Sequence, residues 1–137
     1  MNKIEEIKRE HETIELDLRE LEVIIFSEEL NYANLIHVCR HLTEFWDAHE
    51  AKEKEVFAEL ARFDEKIPIK TIDFEHGELR VHWEAIKEAI NSGSEFKVKE
   101  VLDSHGKALI ERLRKHIEFE DNLIYTLDAE IVGKFNN

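Results

Sequence analysis

Four stretches of this chain carry apolar residues at alternating steps of three and four, and in each one a histidine takes a place the stripe would otherwise give to an aliphatic side chain. That spacing follows the 3.6-residue turn of an α-helix, so each stretch predicts one amphipathic helix with one buried face. In the first, Ile4, Ile7, Ile14, Leu18, Leu21 and Ile25 line up and His11 fills the gap. The second runs from about Asn31 to about Phe63 with Leu35, Val38, Leu42, Phe45, Val56 and Leu60 inward; His49 lies in its seam and Glu53 follows one turn later. The third, capped at Thr71 and ending near Asn91, aligns Ile72, Leu79, Trp83, Ile86 and Ile90, with His76 in the missing place. The fourth reaches about Glu130 with Val98, Leu102, Leu109, Leu123 and Leu127 inward, interrupted by His105, His116 and Glu120.

The connections are short. Asp64 to Lys70 holds the only proline, Pro68, and reads as the central loop, while Asn91-Ser92-Gly93-Ser94 is a tight turn in which Ser92 and Glu95 have capping-box spacing. Four glycines, one proline and 37% charged residues suit helices, and 137 residues suit one domain, spanning 1–137, with one core. The expected fold is an all-α, up-down-up-down antiparallel four-helix bundle.

A formal net charge of −13 repels nucleic-acid phosphates and anionic lipid headgroups, so neither is an expected partner. The single cysteine, Cys39, has no partner for an internal disulfide, and no segment reads as a signal peptide or a membrane span. A reducing cytoplasm is the expected location.

The two halves of the chain resemble each other. Glu10-His11 answers Glu75-His76, and Leu42 to Leu60 aligns without gaps on Leu109 to Leu127, placing His49 on His116 and Glu53 on Glu120. Residues four apart on a helix project side by side, so His49 with Glu53 and His116 with Glu120 form two inward pairs. Antiparallel packing brings His11 level with the first pair and His76 level with the second. Four imidazoles and two carboxylates then converge inside an apolar bundle. Burying even one uncompensated charge costs several kcal/mol, comparable to the net stability of a small domain. Metal coordination is the compensation such bundles use. A lone seam histidine is more often a hydrogen-bonded core residue; four at one depth, two followed by Glu, point to ligands. His37, His41 and His82 lie off the stripes, whereas His105 falls on the face of His116 and is expected to line the cavity.

The ordered set Glu10-His11, His49 with Glu53 in HEAKEKEVF, Glu75-His76, and His116 with Glu120 in HIEFEDNLIY resembles the hemerythrin-like, or HHE cation-binding, family over nearly the whole chain. The resemblance implies two non-haem Fe ions, oxo- or hydroxo-bridged, with His11, His49, His76 and His116 as terminal ligands and Glu53 and Glu120 as bridging carboxylates; Zn or Mn are possible substitutes. Asp121 is the second choice for Glu120, and Glu50 is a candidate for a vacant position on one metal. Oxygen-carrying hemerythrins have a further histidine one turn after the first on their third helix, where this chain has Arg80. The broken carrier pattern shifts expectation from O2 transport toward O2 or NO sensing, peroxide handling, or iron storage and delivery.

The leading expectation is thus a di-iron binding protein for a small diatomic ligand or for iron itself. A redox enzyme reducing peroxide or NO, or repairing iron centres, is the alternative; it requires an electron-donating partner, since the chain shows no flavin or nucleotide motif. A metal-free helical interaction module is the third, and it predicts a melting temperature indifferent to chelators.

Overall fold

A computed structural model describes residues 3–127 and is all-helical. Its rods are α1 (Lys3–Phe26), α2 (Tyr32–Ala61), α3 (Ile69–Asn91) and a fourth built from α4 (Glu95–Val101), a π-helical turn (Leu102–Gly106) and α5 (Lys107–Tyr125). α1 packs on α2 and α5, and α3 packs on α2, α4 and α5. Each rod thus touches its neighbours around a four-helix bundle. The expected end of the last helix near Glu130 lies outside the described residues. Among those described, no helix is long and apolar enough to cross a membrane.

Two expected caps are corrected. α3 begins at Ile69 rather than after Thr71, with Pro68 ahead of it and the Pro68 carbonyl accepting from Ile72 N at 3.0 Å. A proline ahead of a helix sacrifices no helical hydrogen bond, so the chain turns in directly behind it. At the next junction Ser94, not Ser92, caps α4 by accepting from Lys97 N at 3.2 Å. Gly93 explains the shift: its φ of 72° is left-handed, so no right-handed helix can start before it. Ser92 instead closes α3, its hydroxyl donating to the Ala89 carbonyl at 2.5 Å.

Two apolar clusters fill the bundle, the larger including Ile14, Trp46, Leu79 and Leu113 and the smaller including Ile7, Val56, Ile72 and Ile124. Each of the four helices α1, α2, α3 and α5 passes from one cluster to the other, and between them each buries polar residues: His11; His49, Glu50 and Glu53; His76; His116 and Glu120. These side chains therefore lie at one depth. At one position in each rod the buried choice moves by one residue from expectation, to Ile24, Trp46, Ala89 and Ile124 in place of Ile25, Phe45, Ile90 and Leu123, which are only partly buried. A 3.6-residue turn drifts against a strict three-four stripe, so which of two adjacent apolar residues points inward depends on the facing helix.

Candidate metal centre

The inward pairs meet as the antiparallel register requires. The ring centroids of His11 and His49 are 4.9 Å apart, as are those of His76 and His116, whose Nε2 atoms approach to 3.1 Å. Glu53 and Glu120 stand between the histidine pairs: His49 Nε2 lies 2.8 Å from Glu53 Oε1, His116 Nε2 3.0 Å from Glu120 Oε2, and His11 Nε2 3.3 Å from Glu120 Oε1. None of the six side chains is more than 3% exposed. They form two groups able to hold a metal ion, His11-His49-Glu53-Glu120 and Glu53-His76-His116-Glu120, with the ligand atoms of each within 4.8 Å of one another. Both groups share the same two carboxylates.

The outer nitrogens are oriented by a second ring of carboxylates. His11 Nδ1 donates to Asp121 at 2.7 Å, His49 Nδ1 to Glu10 at 2.8 Å, and His116 Nδ1 to Glu75 in a short bond. Donation at Nδ1 fixes the tautomer and turns the Nε2 lone pair inward, the usual arrangement around metal-binding imidazoles. Lys52 Nζ in turn donates to Glu10 at 2.5 Å. This explains the Glu-His doublets in the sequence: each Glu orients the histidine of the neighbouring helix, not the one beside it in the chain. Asp121 is half-exposed and serves His11 from outside, so it does not share the position of fully buried Glu120. Glu50 is buried, but Arg80 Nη2 donates to its Oε1 at 2.5 Å, leaving that oxygen 3.6 Å from His76 Nδ1.

The inner atoms find no such partners. His11 Nε2, His49 Nε2 and all four oxygens of Glu53 and Glu120 are buried without an aligned hydrogen bond, as is His76 Nδ1. Orphaned buried imidazole nitrogens and carboxylate oxygens cost stability unless a cation or protons compensate them, and this nitrogen-and-oxygen donor set suits Fe, Mn or Zn. In the metal-free protein protons take that role. Burial pushes His11 down, but Asp121, Glu120 and Glu53 outweigh it and raise it from 6.5 to about 11. His116 is likewise raised to about 9, burial being overcome by Glu120, Glu75 and Glu53. Burial, together with the neighbouring Glu53, raises Glu120, whereas Glu53 is held well below 4.5 because the contacts with Glu120 and three histidines outweigh its own burial.

Trp46 walls the site on one side, its ring 5.4 Å from that of His49 and 5.7 Å from that of His76. Sequence spacing favoured Phe45, one residue away, and gave no sign of it. His105 is a second correction. The π-helical turn adds a residue to the helix and rotates His105 off the His116 face, so that it meets His82 instead of lining the centre. No curated protein and no solved structure matches the chain. The sequence profile described as the hemerythrin HHE cation binding domain matches residues 2–127. A helical bundle with paired histidine-glutamate groups at its middle, matched over nearly its whole length by that profile, belongs to the hemerythrin HHE cation-binding family.

Proposed function

We propose that the chain binds two iron ions, with His11 and His49 serving one, His76 and His116 the other, and Glu53 and Glu120 spanning both. The observation that carries this reading is the sharing of two fully buried, otherwise unpartnered carboxylates by two histidine pairs. A mononuclear site would leave one imidazole pair and half the carboxylate oxygens without a ligand. Bound there, iron supplies a redox-active centre for a small ligand of the O2, NO or peroxide class.

The protein's own residues set what such a centre admits. Trp46 and the two apolar clusters close the inner faces of the imidazoles, and the six side chains are nearly inaccessible from outside. Only molecules of a few atoms fit such an enclosure. Grooves approach His11 beside Leu16 and Asp121, and His116 beside Phe74 and Glu75. These facts support binding or sensing of a diatomic ligand, or iron handling, over chemistry on a larger substrate. The test is elemental analysis of protein purified without added metal, with its absorption spectrum in air. The expected result is about two irons per chain and near-ultraviolet bands that change with O2 or NO. Absence of metal, with none taken up from anaerobic ferrous iron, overturns the proposal.

A further inference from the structure

Away from the bundle centre, α3 and the π-helical turn bring two more imidazoles together: His82 Nδ1 and His105 Nδ1 are 3.0 Å apart, with ring centroids at 5.2 Å. Both are partly buried where α3 packs on the π-helical turn, His82 lying to one side of the inward Leu79 and Trp83. The π turn is what brings His105 there, and the packing holds the turn in place. Gly106 lies so close to α1 that a Cβ on it would meet Ile25 Cδ1 at 3.0 Å, and Leu102 Cδ2 of the turn itself at 3.3 Å. A bulge of this kind re-aims side chains and recurs at functional positions in helices.

The geometry points to a second metal site, at which His82 and His105 bind one divalent ion of the copper(II) or nickel(II) class through their Nδ1 atoms. With metal–nitrogen bonds of about 2.0–2.1 Å, nitrogens 3.0 Å apart subtend about 91–97° at the metal. That is the angle between adjacent ligands in tetragonal or square-planar coordination, the preference of copper(II) and nickel(II); tetrahedral zinc needs a wider separation. His82 is also in the right protonation state. Burial, then Arg112 and His105, push His82 below 6.5, so its imidazole is neutral at pH 7 as coordination requires. Glu78, one turn before His82, pairs with Arg112 at 3.2 Å and offsets the local positive charge. Two protein nitrogens leave the remaining positions to water.

The test is a copper(II) titration of protein whose central site has first been saturated with iron, followed by calorimetry and by electron paramagnetic resonance. The expected result is one further copper per chain whose spectrum shows nitrogen coupling from two imidazoles. H82N and H105N should each weaken that site at least tenfold, counted by difference from wild type, while H37N at an exposed position leaves it unchanged. Because both histidines are only partly buried, circular dichroism should show the variants folded; the wild-type spectrum tests the ligand set without any substitution. No further copper, a spectrum without two nitrogens, or undiminished binding in either H82N or H105N overturns the inference and leaves a hydrogen-bonded imidazole pair only. The outcome does not depend on which metal the central site prefers, since all six of its side chains are intact in both variants.

Discussion

The His11-His49 half of the centre and the His76-His116 half have the same inward chemistry but different support. In the first, both imidazoles donate Nδ1–H to a carboxylate, Asp121 or Glu10. In the second only His116 does so, to Glu75; His76 Nδ1 is buried and unpartnered, and the nearest carboxylate, Glu50, is held by Arg80. The repeat explains where the symmetry fails. Asp121 aligns with Lys54, so the second half has no acidic residue at the equivalent position, and Glu50 approaches from a place where the first half has Ile117. An imidazole without an acceptor for its outer N–H is a weaker and less rigid ligand. The second half should hold metal less firmly.

The largest test of that asymmetry is chelation. Metal removal from the loaded protein should occur in two steps, with the His76-His116 ion leaving first. Complete removal should lower the melting temperature by roughly 10 °C or more, because metal held at a thousandfold excess over its dissociation constant contributes about 4 kcal/mol. Stopped-flow absorbance and scanning calorimetry read the two effects. Single-step loss would show the halves to be equivalent, and an unchanged melting temperature would leave a helical module with no metal dependence.

Next come the outer carboxylates. Glu10→Gln and Glu75→Gln should each weaken metal binding by about 10–100-fold, the usual cost of losing such a partner. Glu50→Gln should change it by less than about threefold, since Glu50 makes no hydrogen bond to His76. Competition against a coloured chelator measures all three. Equal losses for Glu50→Gln and Glu10→Gln would erase the distinction between the halves.

A smaller effect separates the halves by pH in the metal-free protein. His116 is raised from 6.5 to about 9 and His11 to about 11. A raised histidine stabilises the fold fully below its unfolded value and loses that contribution as pH climbs through the folded one. Melting temperature should therefore fall from about pH 6.5, most steeply up to about pH 9 where both histidines contribute, and more gently from there to about pH 11, where only His11 does. His116→Gln should remove its share of the steeper fall and keep the decline that runs to about pH 11.

Much of this was legible in the sequence because burial enforces periodicity. The six inward residues interrupt stripes that otherwise read as Leu, Ile and Val, and equal spacing from each turn placed them at equal depth. The outer carboxylates were visible only as Glu-His doublets, because a helix neighbour of His11 such as Glu10 points away from it, and its real partner, His49, is set by packing of α1 on α2. The π turn left no periodic signal, since one inserted residue shifts the stripe by an amount that apolar spacing tolerates. Hence apolar spacing puts His105 on the wrong face, while it places Leu102 and Leu109 on either side correctly inward.

The finest test acts on Arg80, which stands where the oxygen carriers have a histidine. Its guanidinium is half-exposed and holds the buried Glu50 carboxylate at 2.5 Å, with Lys54 Nζ a further 3.6 Å contact. An exposed partner contributes little stability, about 1 kcal/mol or less, so Arg80→Ala should leave the fold intact. It should, however, free Glu50 to accept from His76 Nδ1, only 3.6 Å away. The expected result is a few-fold slower loss of the first ion to chelator, bringing the second half closer to the first. In the Arg80→Ala, Glu50→Gln double variant that gain should vanish, because a neutral amide is the poorer acceptor, and the difference between the two variants isolates the Glu50 contribution. If the double variant keeps the gain, Arg80 acts through its charge alone, and the missing outer hydrogen bond is not what makes the halves unequal.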